Sequence, residues 1–228
     1  MVFLKRILTL VVAAFIFLTG CFSHNIGNKF EDPAGAYLKA FVSLNTVTTI
    51  NMTPLAGAYI SCNGLIGYSA STCYCTEEAK VNGIYNGRDF RAWFSTASVD
   101  ARCNILGQEV NTEDCDITIL DSDGYGPWLE PGSYKVIFKS HTDMLQNSLT
   151  NTFQMQADGI NANPGAVLTD TNQSGYYSGG GCNGDPTVVA PSTMHMGIAG
   201  NNTYWTNDQL GYGCATTGRV YCFEVPDL

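Results

Sequence analysis

Positive charge is scarce in this chain. Eleven lysines and arginines stand against twenty acids in 228 residues, giving a formal net charge of −9. No stripe of Lys or Arg is available to track phosphates, so nucleic acid is not an expected partner, and neither are heparin-like polyanions. Histidine is scarcer still: His24, His141 and His195 are scattered, with no ligand or nucleophile pattern around them. The chain has no Gly-x-Ser-x-Gly elbow, no His-Glu-x-x-His pair and no phosphate-binding loop. Nothing singles out two acids as a glycosidase pair. We therefore expect no enzymatic activity and no cofactor. What is plentiful is Gly (24) and Tyr (12), among many Asn, Ser and Thr, which describes a loop-rich domain. Aromatics at 11% and charge at only 14% argue against disorder.

Long apolar runs are lacking too. The longest, residues 7–18, is short of the roughly 20 residues a membrane-spanning helix needs. It follows Lys5 and Arg6 and leads into Leu18-Thr19-Gly20-Cys21, the order of a secretory signal with small residues at its cut. The Leu-x-Gly-Cys ending resembles the lipobox of bacterial lipoproteins. That resemblance implies lipidation of Cys21, as by palmitate, and removal of residues 1–20. Losing Lys5 and Arg6 would take the charge from −9 to −11. Each buried CH₂ of an acyl chain stabilises attachment by about 0.8 kcal/mol, so two or three chains hold a protein on a membrane. The expected location is the bacterial envelope, lipid-anchored in the outer membrane and exposed at the cell surface. Residues 21–35 read as a polar tether, and 36–228 as one domain without internal repeats.

Cysteine parity agrees with export. Of nine cysteines, setting Cys21 aside leaves eight: Cys62, Cys73, Cys75, Cys103, Cys115, Cys182, Cys214 and Cys222. An even set in an oxidising space suits disulfides, while the spacing Cys73-x-Cys75 is too tight for the usual zinc knuckle. The pairing is not fixed by the sequence.

Composition places strands near 37–50, at 90–95, after the Pro131-Gly132 turn, and at 218–225. A helix is expected over 76–83, capped by Ser71 or Thr72 and ended by Gly83. Residues 140–181 read as long loop, the kind that usually carries function. The segment Cys75-x-x-Glu78-Ala79, then Gly87-x-x-Phe90-x-Ala92-Trp93-Phe94-Ser95, with Gly175, Cys182-Asn183 and the closing Arg219-Val220-Tyr221-Cys222-Phe223-Glu224, is similar to leptospiral endostatin-like surface lipoproteins. The similarity runs over roughly residues 36–225. The region of Cys62–Cys73 and the Cys103/Cys115 pair are extra, and Leu168 stands where that family has a tryptophan. The resemblance implies an α+β, C-type-lectin-like fold: a small, twisted, mostly antiparallel sheet, one or two helices, and disulfide-braced loops. It also implies the bonds Cys75–Cys222 and Cys182–Cys214. The remaining four cysteines most simply form local pairs, 62–73 and 103–115.

Three short motifs invite metal. Trp205-Thr206-Asn207-Asp208 is similar to the Trp-Asn-Asp of calcium-dependent lectins, yet it has an inserted Thr206 and reads better as a buried tryptophan anchoring the loop with a polar turn after it. No Glu-Pro-Asn partner is present, and Asp185-Pro186 has the wrong order. Asp121-Ser122-Asp123-Gly124 would place Gly132 where an EF-hand needs Glu. Met194-His195-Met196 suits copper but reads better as partly buried strand. No metal is expected. The favoured reading is a binding or adhesion module using Tyr176, Tyr177, Tyr204, Trp205, Asn207, Asp208 and Tyr212 against a protein or glycan. The resemblance implies extracellular-matrix or complement-regulator partners. The alternatives are a carbohydrate-active hydrolase, a calcium-dependent sugar-binding protein and a structural envelope lipoprotein.

Overall fold

A computed structural model describes residues 37–44, 46–48, 59–65, 67–108, 115, 126–160, 165–179, 193–213 and 216–226. In chain order the strands are β1 (Leu38–Val42), β2 (Val47–Thr48), β3 (Phe90–Ala92), β4 (Trp128–Leu129), β5 (Val136–Phe138), β6 (Ala166–Leu168), β7 (Thr193–Ile198), β8 (Gly211–Gly213), β9 (Thr217–Gly218) and β10 (Tyr221–Glu224). The helices are α1 (Gly67–Val81), α2 (Ala101–Asn104) and α3 (His141–Leu145). This is a small α+β fold. Its sheets are mostly antiparallel: β3-β10-β1-β4-β5, β6-β7-β8, and the pair β2-β9, with β1 and β4 running parallel.

The five-stranded sheet works because its strands alternate. In β1, Leu38, Ala40 and Val42 enter one core while Phe41 enters another. In β10, paired to it at Ala40↔Phe223 and Phe41↔Cys222, Tyr221 and Phe223 go one way and Cys222 the other. One face thus meets α1 through Ala70, Tyr74, Cys75 and Ala79. The opposite face gathers Trp93, Trp128, Phe138, Phe153 and Trp205 around Tyr221 and Phe223.

Helix α1 starts at Gly67, earlier than the expected 76, so Ser71 and Thr72 are interior residues and not caps. Gly, Ser and Thr here are poor helix formers. Packing of Ala70 and Tyr74 overrides that preference, and two disulfides leave the helix at Cys73, to Cys62, and at Cys75, to Cys222. Gly83, at φ +70°, ends it as its N–H and that of Ile84 take the carbonyls of Lys80 and Ala79. The third disulfide joins Cys103 of α2 to Cys115. Cys21, Cys182 and Cys214 lie outside the described residues, as do the leader, the tether, residues 121–124 and Asp185.

Within the expected long loop of 140–181, the described residues 140–160 and 165–179 are more ordered than their composition suggests. Ser140 caps α3 by accepting the Asp143 N–H at 3.1 Å, and β6 pairs with β7 at Val167↔Gly197. Among the described residues no helix is long and apolar enough to cross a membrane.

Candidate binding surface

Two turns stand side by side, and the sequence dictates their shape. In the first, the Asn172 side chain accepts the N–H groups of Ser174 (2.9 Å) and Tyr176 (3.1 Å), closing a tight loop across the Thr171↔Tyr177 bridge. In the second, the Asn201 side chain accepts the N–H groups of Thr203 (2.8 Å) and Tyr204 (2.9 Å). Gln173 ties them together, donating to the Thr203 carbonyl at 3.3 Å. Tyr176 and Tyr204 are presented from these turns with 39% and 38% of their surface exposed.

The first turn is anchored on α2. The Tyr177 N–H donates to Asp100 Oδ1 at 2.6 Å, and the Arg102 N–H donates to the Gly175 carbonyl at 3.3 Å. Gly175 has φ +86°, and a Cβ there would lie 2.7 Å from the Arg102 Cβ, so only glycine allows this approach. The Arg102 guanidinium sits 4.7 Å from the centre of the Tyr176 ring, a cation–π contact that fixes the ring.

The second turn hangs on Trp205. That side chain is 1% exposed, 5.1 Å from both Trp93 and Phe138 between ring centres, with its indole N–H donating to Asn147 Oδ1. Trp205 therefore belongs to the core and anchors the surface from below, as a buried tryptophan with a polar turn after it. Its main chain crosses β7 closely: a Cβ on Gly197 would fall 1.8 Å from the Trp205 carbonyl oxygen. Beneath both turns runs a buried hydroxyl network. Trp93 donates to Thr206 Oγ1 (2.7 Å), Thr169 to the Thr206 carbonyl (2.5 Å) and Thr171 to the Thr169 carbonyl (2.5 Å), with Ser95 and Thr171 hydroxyls 2.9 Å apart.

Asn207, Asp208 and Tyr212 form a separate turn beyond Thr206. Asn207 Oδ1 accepts the Gln209 N–H at 2.7 Å and Asp208 Oδ1 the Leu210 N–H at 3.0 Å, while the Tyr212 hydroxyl donates to Asp208 Oδ2. That bond, followed by burial and the nearby negative charge, raises the Tyr212 pKa. These oxygens cap their own turn. Leu210, 60% exposed, projects from it. Among the described residues no three His, Cys, Asp or Glu side chains come together as metal ligands.

Asp170 escaped the sequence reading. It is fully buried, with left-handed backbone at φ +42°. Its Oδ1 accepts the Ser178 hydroxyl (2.8 Å) and the His195 N–H (3.3 Å), while Oδ2 has no hydrogen-bond partner. Burial raises its pKa, opposed by the Ser178 and His195 N–H bonds and by the His195 charge. Burial, then the Asp170 charge, raises the Tyr177 phenol pKa as well. Among Thr169, Asp170 and Thr171 nothing in the sequence marks Asp170 apart, because its distinction is positional. Arg102 was equally unmarked.

No protein-family model matches the chain, and no curated protein matches it.

Proposed function

We propose that this protein is a lipid-anchored binding module of the bacterial cell surface, with a C-type-lectin-like domain that engages a protein or glycan through its tyrosine turns. The observation that carries the reading is the paired Asn172 and Asn201 turns, which hold Tyr176 and Tyr204 half-exposed on a braced base. Tyrosines with two rotatable torsions, already fixed before contact, lose little entropy on binding, which is how rigid aromatic contacts gain affinity. The net charge of −9 favours a basic partner and resists polyanions. Lipidation at Cys21, the outer-membrane surface location, and matrix or complement-regulator partners of the endostatin-like kind belong to this same proposal.

The test is a pulldown with the soluble domain from Phe22 onward against matrix, serum and envelope fractions. A partner bound by wild type and lost in Tyr176→Ala/Tyr204→Ala supports the reading, with each aromatic anchor contributing about 1–2 kcal/mol, some five- to thirtyfold in Kd. A partner held equally by the double variant refutes the role of these turns. Protection of the protein from protease added to intact cells would refute surface display.

A further inference from the structure

Arg102 of α2 is a buried cation without a counter-charge. It is 5% exposed, and its Nε has no hydrogen-bond partner. Among the described residues no carboxylate forms an ion pair with it and no oxygen accepts from its guanidinium, whereas Lys80 and Arg88 meet Glu77 and Glu224. Asp100, two residues earlier, gives Oδ1 to the Tyr177 N–H at 2.6 Å. Of the three guanidinium nitrogens Nε alone is both buried and unpartnered, so Nη1 and Nη2 are the ones that reach solvent. A long cationic side chain ordinarily carries its whole head out to water. Arg102 is held in, because its Cβ packs against Gly175 and its guanidinium lies 4.7 Å from the centre of the Tyr176 ring. The ring offsets part of the cost of burying this charge, but it accepts no hydrogen bond in the plane of the fork. The turns around it have complementary parts. Asn172 and Asn201 use their side-chain oxygens to close their own turns, and neither Nδ2 donates to a described residue. Tyr204 is exposed and its ring stacks on no other ring among the described residues.

We propose that the tyrosine turns take a sugar bearing one carboxylate, of the sialic- or uronic-acid class, and that Arg102 holds that carboxylate. This deepens the binding-module reading and rests on it for the turns being the contact surface. A carboxylate meets two guanidinium N–H groups at once in the plane of the fork, a match that the point charge of a lysine lacks. The weakly positive C–H face of the sugar ring lies on an exposed tyrosine, and its hydroxyls accept from the Asn172 and Asn201 amides. Flat rings and amide donors suit a sugar better than an acidic peptide, which brings neither a stacking face nor a set of hydroxyls. The net charge of −9 repels a chain of such sugars, as in heparin-like polymers, yet a lone carboxylate at contact answers a lone guanidinium. A basic glycoprotein whose glycans end in such a sugar satisfies both the charge and the site.

Calorimetric titration of the purified full chain with sialyllactose, its carboxylate methyl ester, a glucuronic-acid-terminated disaccharide, lactose and a tetraglutamate peptide tests this. The expected result is saturable binding of an acidic sugar, with its neutral counterparts at least about tenfold weaker. Arg102→Lys, checked for folding by its thermal transition, should lose most of that preference, because it keeps the charge and loses the fork. Tyr204→Ala should weaken acidic and neutral sugars alike. The ester comparison needs only the wild-type chain, so a variant that fails to fold leaves the test intact. Equal affinity for sialyllactose and its methyl ester would overturn the role of Arg102. Binding of tetraglutamate in place of the sugars overturns the acidic sugar and keeps the turns as a protein-binding surface. So does binding of no probe while the pulldown partner still depends on Tyr176 and Tyr204. An acidic sugar released by Arg102→Lys but held with full affinity by Tyr176→Ala/Tyr204→Ala overturns the tyrosine turns instead.

Discussion

The two faces of the five-stranded sheet are held by different means. The α1 face mixes small side chains, Ala70, Ala79 and Ala92, with the rings of Phe41, Tyr74 and Phe90, and a disulfide runs from the helix into the strand itself, Cys75 to Cys222. The opposite face is filled by rings: Phe153 and Tyr221 lie 4.5 Å apart, Trp93 and Trp205 5.1 Å, and Trp128 meets Phe223 edge-on at 6.2 Å. Small residues let the helix come close enough for a covalent tie, whereas large ones build volume outward and carry the irregular turns on top. The difference teaches where tolerance lies. The helix face adds a covalent tie to its packing, whereas the turn face rests on the fit of many atoms alone.

Removing the covalent tie should give the largest effect. Cys75→Ala/Cys222→Ala frees a loop of 147 residues in the unfolded chain, worth about 5 kcal/mol on the chain-entropy argument. Denaturant unfolding should show the loss while the tyrosine turns keep their near-ultraviolet signature in the folded fraction. Cys62→Ala/Cys73→Ala opens a loop of only 11 residues and should lose about 3 kcal/mol. Equal losses from the two pairs would mean that the long bond strains the native state or that the unfolded chain is already compact.

Next in size is Trp205→Ala, at about 3–5 kcal/mol for a buried indole. Its consequence is local in a way the disulfide loss is not. Hydrogen exchange should accelerate through 201–212 first, since Trp205 is the link between that segment and the core. Gly197→Ala should produce the same local loosening from the other side of the contact, as its methyl has no room under the Trp205 carbonyl. A Trp205→Ala variant that exchanged faster across α1 as well would show that the two faces are one cooperative unit.

The split between faces also explains what could be read in advance. The α+β class, the strand compositions at 90–92 and 221–224 and the presence of disulfides were legible, since alternation and cysteine parity are local or countable. The start of α1 was not: Gly67-Tyr68-Ser69 carries no helix signal, and tertiary packing decides it. Strand β6 was hidden in polar sequence because its pairing partner, β7, lies across residues whose composition says only loop. At the surface, Tyr176 and Tyr204 could be picked out by residue type. The side chains that fix them, Asn172, Asn201 and Arg102, could not, because an Asx turn and a cation–π contact require knowing which main chain lies opposite. Trp205, a tryptophan followed by a polar turn, was legible as a buried loop anchor, and it is buried.

The smallest effect expected is also the one that separates the faces by pH. Asp170 pins the tyrosine turn to β7, and burial has raised its pKa above the ordinary 3.8. A carboxyl whose folded pKa exceeds its unfolded value contributes stability that is fully present below the unfolded pKa. That contribution is lost as pH rises through the folded pKa. Stability should therefore decline as pH climbs above about 4, where ordinary aspartates ionise. Asp170→Asn keeps an oxygen for Ser178 and the His195 N–H but cannot ionise, so it should flatten this part of the profile. Glu224, whose pKa burial also raises, leaves its own slope on the α1 face of both proteins. The measurement is unfolding free energy at intervals from pH 4 to 7.5 for wild type and Asp170→Asn. Parallel curves would mean that the Asp170 carboxylate finds a cation or donor in solution that meets its Oδ2, and the turn would then hold equally well at either end of the range.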